Sequence, residues 1–583
     1  MTNGLYAPDF ATSPARSGDS LFWIDSRGGP RRALWTARAD GSEPRMLLGG
    51  TDAVTGFRAF DQGRRLVVAT DCGGDEHHQL RVISADGSAP ARHITSDFFV
   101  INNLGAVSAD GTRLAFASNR AQRERFDIAI TCLTSFERRD FVLGEGEWKV
   151  EAWAADGTGL YVSLGRATGD IALYRLCTKT GELRSLIPVG PARFHEIRPV
   201  EGGVLLRTDW GNDNLYVAFL AEDGSLTSRL RVPGRDIDAY LPLDGGARIL
   251  ASVNAELGHE LHLAGPSGTE ILDLPLTLRG PLSFNGPDRI LWAEQTASMP
   301  SRIVDYDLAT GDLRVLVQPH QGLIQGIRAV ETFRATAADG REVPALIYRP
   351  EAPNGACLFM IHGGPESQWL PNCQPWVAEM CRRGWTVIAP NVRGSLGFGR
   401  NWLLLDNMTL RRDVIGDITA LYDAAVTREG LDPARMGVMG ESYGGFMTAL
   451  QLGFETDRWA VAAIIYGFAD VPKLVNAFGS WRRPHRMWEY GNPDDPQVLA
   501  FQQALSPLPH LSKVKVPVFM YHARRDMRVP IEQSDMIEAA LRSGGAPVTR
   551  MGADDEGHGY VNPNTRNALW TGLMAHFEAV FDA

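Results

Sequence analysis

The sequence predicts two folds in one chain: an all-β propeller of seven blades over residues 1–325, then an α/β domain on a mostly parallel sheet over residues 326–583. Three features predict this. A phrase of turn and strand recurs through the first half with a spacing in the forties. From about Val330, apolar runs alternate with amphipathic helical stretches. In that second half a Gly-x-Ser-x-Gly string joins one apolar run to a helix.

The repeated phrase is a turn rich in Asp and Gly followed by a short apolar strand. It occurs as Ser17-Gly18-Asp19 before Leu21, Asp61-Gln62-Gly63 before Leu66, Asp110-Gly111 before Leu114 and Asp156-Gly157 before Leu160. Looser copies are Glu201-Gly202-Gly203 before Leu205, Asp244-Gly245-Gly246 before Ile249 and Asn285-Gly286 before Ile290. Successive apolar anchors lie 45, 48, 46, 45, 44 and 41 residues apart. A second turn falls late in several repeats, as in Asp40-Gly41, Asp86-Gly87, Thr180-Gly181, Asp223-Gly224 and Thr310-Gly311. Such pairs supply the positive φ that tight hairpins need. About four strands per repeat of this length is a propeller blade, and a ring of blades leaves no long sheet edge exposed. A row of β-sandwiches or two stacked barrels is the alternative for this half.

In the second half the pattern predicts strands at Glu331–Thr336, Val343–Arg349, Cys357–Ile361, Trp385–Pro390, Met436–Met439, Ala460–Tyr466 and Val516–His522. Helices are expected at Pro375–Arg383, Arg412–Thr427, Ile531–Arg542 and Thr565–Phe581, the second of them ending at Gly430. The linker falls near Gly322–Val330.

Three short segments carry chemistry. The first is Gly440-Glu441-Ser442-Tyr443-Gly444-Gly445, with an apolar strand before it and a helix after it. A strand that reverses sharply into a helix stands its serine on a strained turn, and side chains at Gly440 and Gly444 would collide there. The second is the run Val516 to Asp526, where a buried strand ends and an acid follows it. Sheet enzymes place catalytic groups at the carboxyl ends of strands. His522 lies inside that strand and reads as a core residue. The third is Glu556-Gly557-His558-Gly559, a loop whose glycines project an imidazole.

The order Ser442, Asp526, His558 is the nucleophile, acid and base order of the α/β-hydrolases. A serine hydroxyl is a poor nucleophile at neutral pH, so the chemistry needs His558 to take its proton and return it to the leaving group. Asp526 would orient the imidazole and stabilise its cation. The oxyanion needs donors as well. His362-Gly363-Gly364-Pro365 follows the strand Cys357–Ile361, which places the oxyanion between the amides of Gly364 and Tyr443.

With these segments in view the chain resembles the prolyl oligopeptidase family of serine peptidases, nearest its acylaminoacyl-peptidase branch. The resemblance rests on His362-Gly363-Gly364-Pro365, Asn391-Val392-Arg393-Gly394-Ser395, Gly440 to Gly445, Asp526-Met527-Arg528-Val529-Pro530 and Glu556-Gly557-His558-Gly559. The family often has tyrosine where Val392 stands and glycine where Ala523 stands. The resemblance implies that Arg528 clamps a substrate carbonyl and that the propeller is a lid admitting short peptides. The dipeptidyl branch grips a free amino terminus with a Glu-Glu pair, and this sequence contains no Glu-Glu dipeptide. Endo-, omega- and aminopeptidase action all stay open.

Phe468, Phe478, Trp481, Met487 and Trp488 cluster after the strand Ala460–Tyr466, where such a fold lines an acyl pocket, although the same residues suit core packing equally. Arg482, Arg483, His485 and Arg486 interrupt them and read as a solvated loop. His77 and His78, beside Asp71, Asp75 and Glu76, read as an exposed polar loop without tetrahedral ligand spacing.

Composition sets the remaining expectations. Net charge is −11, which argues against nucleic acid or an anionic membrane as the main partner. No apolar run reaches the roughly 18 residues of a membrane span. The start of the chain shows no basic flank followed by an apolar stretch, so no secretory signal is expected. Six scattered cysteines without a C-x-x-C pair fit free thiols in a reducing cytoplasm and offer no metal cage. The expected activity is hydrolysis of short or N-acylated peptides through an acyl-enzyme on Ser442, without metal or cofactor. A homo-oligomer is compatible with the sequence. An esterase or amidase acting on a small molecule, or a non-catalytic propeller scaffold, are the alternatives.

Overall fold

The computed structural model describes residues 11–26, 31–72, 74–187, 190–278, 280–318, 322–479 and 482–582. Residues 11–317 form seven antiparallel blades arranged in chain order: 11–48, 52–93, 102–141, 147–185, 194–230, 237–278 and 283–317. Each apolar anchor of the repeat lies on its blade's second strand, from Leu21 in Ser20–Asp25 to Ile290 in Arg289–Gln295. All seven anchors are at most 4% exposed, so the repeat marks core positions. The preceding turns hold Gly18, Gly63, Gly111, Gly157, Gly202, Gly245 and Gly286 at positive φ. That is why the sequence spends glycine there.

The blades are less separate than the repeat suggests. Gly268–Leu278 closes the sixth blade, and its last residues Thr277 and Leu278 pair with Glu294 and Gln295 of the seventh. Ser283–Phe284 then continues along the same strand of the seventh blade. The ring closes through side chains that reach backbone carbonyls. Ser283 Oγ donates to Pro14 O at 2.6 Å, and Ser301 Oγ donates to Ala11 O at 2.5 Å.

The α/β domain contains one eight-stranded sheet. Its strands in chain order are β1 (Ile327–Thr336), β2 (Glu342–Pro350), β3 (Cys357–Ile361), β4 (Thr386–Pro390), β5 (Met436–Glu441), β6 (Val461–Ile465), β7 (Val518–Ala523) and β8 (Val548–Ala553). The spatial order is β1-β2-β4-β3-β5-β6-β7-β8. β1, β2 and β4 pair antiparallel, and the strands from β4 to β8 run parallel. The central strands are buried on both faces, which explains their unbroken apolar runs.

Eight helices matter here: α1 (Pro375–Arg382), α2 (Asp413–Glu429), α3 (Tyr443–Phe454), α4 (Val471–Ala477), α5 (Arg483–Tyr490), α6 (Pro496–Leu505), α7 (Ile531–Ser543) and α8 (Pro563–Phe581). One face of the sheet packs against α2, α3 and α7 through residues such as Ile418, Leu450 and Ile537. The other packs against α1 and α8 through Met380, Leu573 and Phe577. Gly430 caps α2 at φ 66°, as a helix-ending glycine does.

The run Arg482 to Arg486, read from sequence as a solvated loop, enters helix α5 instead. Arg486 is drawn inward by Glu489, whose side chain is fully buried, and lies 3.6 Å from Glu366. The half-buried loop carrying Glu76, His77 and His78 reaches across to the α/β domain, where Glu76 Oε1 accepts from Arg528 Nε at 2.5 Å. Other contacts between the domains join Arg334 to Glu256 at 2.6 Å and Gln368 Oε1 to Asn254 Nδ2 at 2.7 Å. A cavity of about 670 Å³ lies between the domains, bounded by Glu147, Thr168 and His195 on one side and Glu366, Gln368 and His485 on the other. Burial pushes the His195 imidazole down to about 3. Among the described residues no helix is long and apolar enough to cross a membrane.

Candidate active site

β5 ends at Glu441, and α3 begins at Tyr443. The single residue between them, Ser442, has φ 55° and ψ −116°. This is strained backbone for a residue with a side chain, and it persists only because its surroundings fix it. A Cβ on Gly440 would lie 2.2 Å from Gly444 O, and a Cβ on Gly444 would lie 2.1 Å from Ile361 O. Both glycines of the elbow are therefore required by close packing of strand, turn and helix.

His558 bridges the other two residues of the sequence-predicted set. Its Nδ1 lies 2.7 Å from Asp526 Oδ2, and its Nε2 lies 3.0 Å from Ser442 Oγ. An ionised carboxylate only accepts, so Nδ1 carries the proton and Nε2 is left to accept from the serine hydroxyl. Asp526 has a fully buried side chain. Burial alone would raise its pKa, but His522, His558 and the Val529 amide hold it well below the ordinary carboxylate range. Asp526 Oδ1 also accepts from the amides of Arg528 and Val529, at 2.8 and 2.9 Å.

His522 is buried, as its strand position suggested, yet its Nε2 lies 3.3 Å from Asp526 Oδ2. The same Nε2 donates to Val529 O at 2.9 Å, while Ser534 Oγ lies 2.6 Å from Nδ1. His522 thus braces the acid loop, a role that its place in a strand pattern concealed.

The turn His362–Glu366 passes directly against the elbow. A Cβ on Gly363 would lie 3.4 Å from the Ser442 Cβ and 3.1 Å from Glu441 O. Gly364 has φ 129°, a conformation reserved for glycine. The Tyr443 amide opens helix α3, where backbone donors have no intrahelical acceptor. Both predicted donor residues thus belong to segments that meet at Ser442. Next to them His362 is buried, which pushes its imidazole down to about 4, and its Nε2 lies 2.9 Å from Ser395 Oγ.

A chain of buried charges, not foreseen from sequence, supports these segments from beneath. Tyr443 Oη donates to Asp406 Oδ2 at 3.2 Å, and Arg411 Nη1 meets the same oxygen at 3.0 Å. The Arg411 guanidinium lies over the Tyr443 and Tyr490 rings and reaches Glu489 at 3.5 Å. Arg486 links Glu489 to Glu366, and Glu366 accepts from Thr168 of the propeller. Burial pushes the Asp406 carboxyl up to about 7. Glu366 is held well below the ordinary carboxylate range, since His485, Arg486 and Thr168 together outweigh its burial.

The apolar residues predicted for an acyl pocket separate. Phe468 is buried and stacks on Phe446 with ring centroids 4.5 Å apart. Phe478 and Met487 pack against the same cluster. Trp488 is 38% exposed and stands outside it. Trp481 lies outside the described residues.

A strained serine at a strand-to-helix elbow, an imidazole within bonding distance of it and a buried acid behind the imidazole, all at the carboxyl end of this sheet, define the α/β-hydrolase class. The model of the prolyl oligopeptidase family matches residues 371–583. The dipeptidyl peptidase family member 6 of Caenorhabditis elegans is 30% identical over 210 residues, which is 35% of this chain and 28% of that one. Dipeptidyl aminopeptidase BIII of Pseudoxanthomonas mexicana is 28% identical over 603 residues, covering 96% of this chain and 85% of that one. A puromycin-hydrolyzing peptidase of Mycobacterium tuberculosis shares the fold at a TM-score of 0.87 and 18% identity, covering 99% of this chain and 95% of that one. Residues 371–583, most of the α/β half, thus carry a prolyl oligopeptidase family domain.

Proposed function

We propose that the protein is a serine peptidase that hydrolyses short or N-acylated peptides through an acyl-enzyme on Ser442. The observation that carries this reading is the relay Ser442–His558–Asp526, with heavy-atom distances of 3.0 and 2.7 Å. Ser442 Oγ attacks the scissile carbonyl while His558 Nε2 takes its proton. The imidazolium then protonates the leaving amine, and water hydrolyses the acyl-enzyme by the same route in reverse. Asp526, already ionised, fixes the tautomer and stabilises the transient cation. The Gly364 and Tyr443 amides receive the oxyanion, each donor being worth about 3 kcal/mol in the transition state.

Arg528 binds a substrate carbonyl upstream of the cleaved bond, with Glu76 holding its Nε. Phe468 and Phe478 line the acyl side in this reading. The propeller and the α/β domain act as two halves of a chamber, residues 1–325 screening what reaches the serine. The six free cysteines suit a cytoplasmic setting.

Acyl-amino-acid anilides, short peptides with free and blocked amino termini, and simple esters should be assayed side by side. The reading expects kcat/KM to favour peptides and acyl-amino-acid amides. A strong preference for non-peptide esters would overturn it. Digestion of chains as long as denatured casein would overturn the screening role of the propeller.

A further inference from the structure

Ser442 sits at the carboxyl end of the central strand β5 with a different environment on each side. Phe446 and Phe468 belong to the face covered by α2, α3 and α7. On the opposite face, against α1 and α8, lies a cavity of about 260 Å³ whose lining includes Gly440, Glu441, Trp369, Gln374, Trp376 and Tyr560. The imidazole belongs to this second side. Tyr466 packs its ring 4.6 Å from that of His558, and Tyr560 follows His558 by two residues. Ser442 and His558 do not themselves line the cavity, but His558 must hand its proton to the departing group, and its ring neighbour Tyr466 shares Glu441 with Tyr560 of the cavity wall, which puts the departing group on this side.

The cavity is rich in acceptors. Tyr560 donates to Glu441 Oε1 at 2.6 Å, and Tyr466 donates to Glu441 Oε2. Among the described residues no cationic side chain pairs with this carboxylate. Gln374 Oε1 and Trp369 Nε1, also on the cavity wall, are each buried without a hydrogen-bond partner, one acceptor and one donor. Burial and the Glu441 charge push both tyrosine hydroxyls well above their ordinary pKa, so they stay protonated and act as donors. Trp369 and Trp376 add indole faces, and Trp376 is held in place by stacking on Trp570 at 4.7 Å. A carboxylate without a counter-ion, a free amide acceptor and indole rings together suit a protonated amine or guanidinium.

We propose that this cavity is a leaving-group subsite that selects a cationic side chain, lysine or arginine, just downstream of the cleaved bond, with Glu441 as its specificity-determining residue. The proposal rests on Ser442 being the nucleophile, and it names the substrate class that the peptidase reading leaves open.

The test uses the full-length protein and two pairs of substrates with a common acyl part. Quenched peptides carry either lysine or norleucine after the scissile bond. Esters carry either choline or its uncharged isostere 3,3-dimethylbutanol as the leaving alcohol. The expected result is a kcat/KM about tenfold higher for the cationic member of each pair that is turned over, falling to a ratio near one in Glu441→Gln. Equal rates within each pair for the parent protein overturn the proposal whether or not the variant folds, and so does turnover of neither pair. Cation preference among the esters with no peptide turnover would sustain this subsite while overturning the peptidase reading.

Discussion

Gly444→Ala isolates the geometry of the elbow from its chemistry, because it alters no polar group. The new methyl would sit 2.1 Å from Ile361 O and 2.8 Å from His362 O. A carbon and an oxygen need more than 3 Å, so one partner must move by about 1 Å. The helix cannot simply retreat, since a Cβ on the adjacent Gly445 would already lie 2.8 Å from the Gly467 Cα. The displacement therefore falls on Ser442 or on the His362–Gly364 turn, separating nucleophile from oxyanion donors. A misplacement of about 1 Å costs on the order of a hundredfold in rate. The measurement is kcat on one acyl-amino-acid anilide, with circular dichroism and Tm to show that the fold persists. A folded Gly444→Ala protein with kcat within twofold of the parent would refute the argument that close packing sets the elbow.

Other outcomes follow from the same geometry. Ser442→Ala should keep the fold and lower kcat by about a millionfold, read from steady-state kinetics. Asp526→Asn should lower kcat by about ten-thousandfold, because the neutral amide no longer dictates the imidazole tautomer. Asp406, raised to about 7, stays protonated in the folded state at pH values where an unfolded aspartate has ionised. Its contribution to stability is therefore fully present below about pH 4 and lost as pH rises toward 7. Denaturant titrations should show this decline in the parent and not in Asp406→Asn. Gly416→Ala, on the exposed face of α2 where a Cβ meets nothing within 4 Å, should stabilise the domain by about 0.5–1 kcal/mol at unchanged activity.

The propeller was legible because each anchor follows a turn whose backbone demands glycine, and that demand shows in sequence. The strand shared by the sixth and seventh blades was not, because the pairing of Thr277 and Leu278 with Glu294 and Gln295 leaves no local mark. Among the parallel strands, apolar runs revealed the buried ones, while β8 has partly exposed residues at the sheet edge and no apolar run to mark it. Helices α4, α5 and α6 are short, at seven, eight and ten residues, so each offers too few turns for a helical repeat to stand out. Their Pro472, Pro484 and Pro496 at the first turn, and the caps Asp470 and Asp495 on α4 and α6, were the available signals.

At the site, Ser442, Asp526 and His558 stood out because chemistry fixes their types and order. Their supports did not. Asp406, Arg411 and Glu489 are far apart in sequence, and only the fold makes them neighbours. His522 shares a strand pattern with core residues, and nothing in that pattern separates a brace for the acid loop from a buried spacer.

The most direct test of the account is where a fluorophosphonate attaches. Peptide mapping after stoichiometric labelling should place the adduct on Ser442, with complete loss of turnover and no labelling of His558→Ala on the same timescale. A label on another serine, or unimpaired turnover by protein fully modified at Ser442, would contradict it.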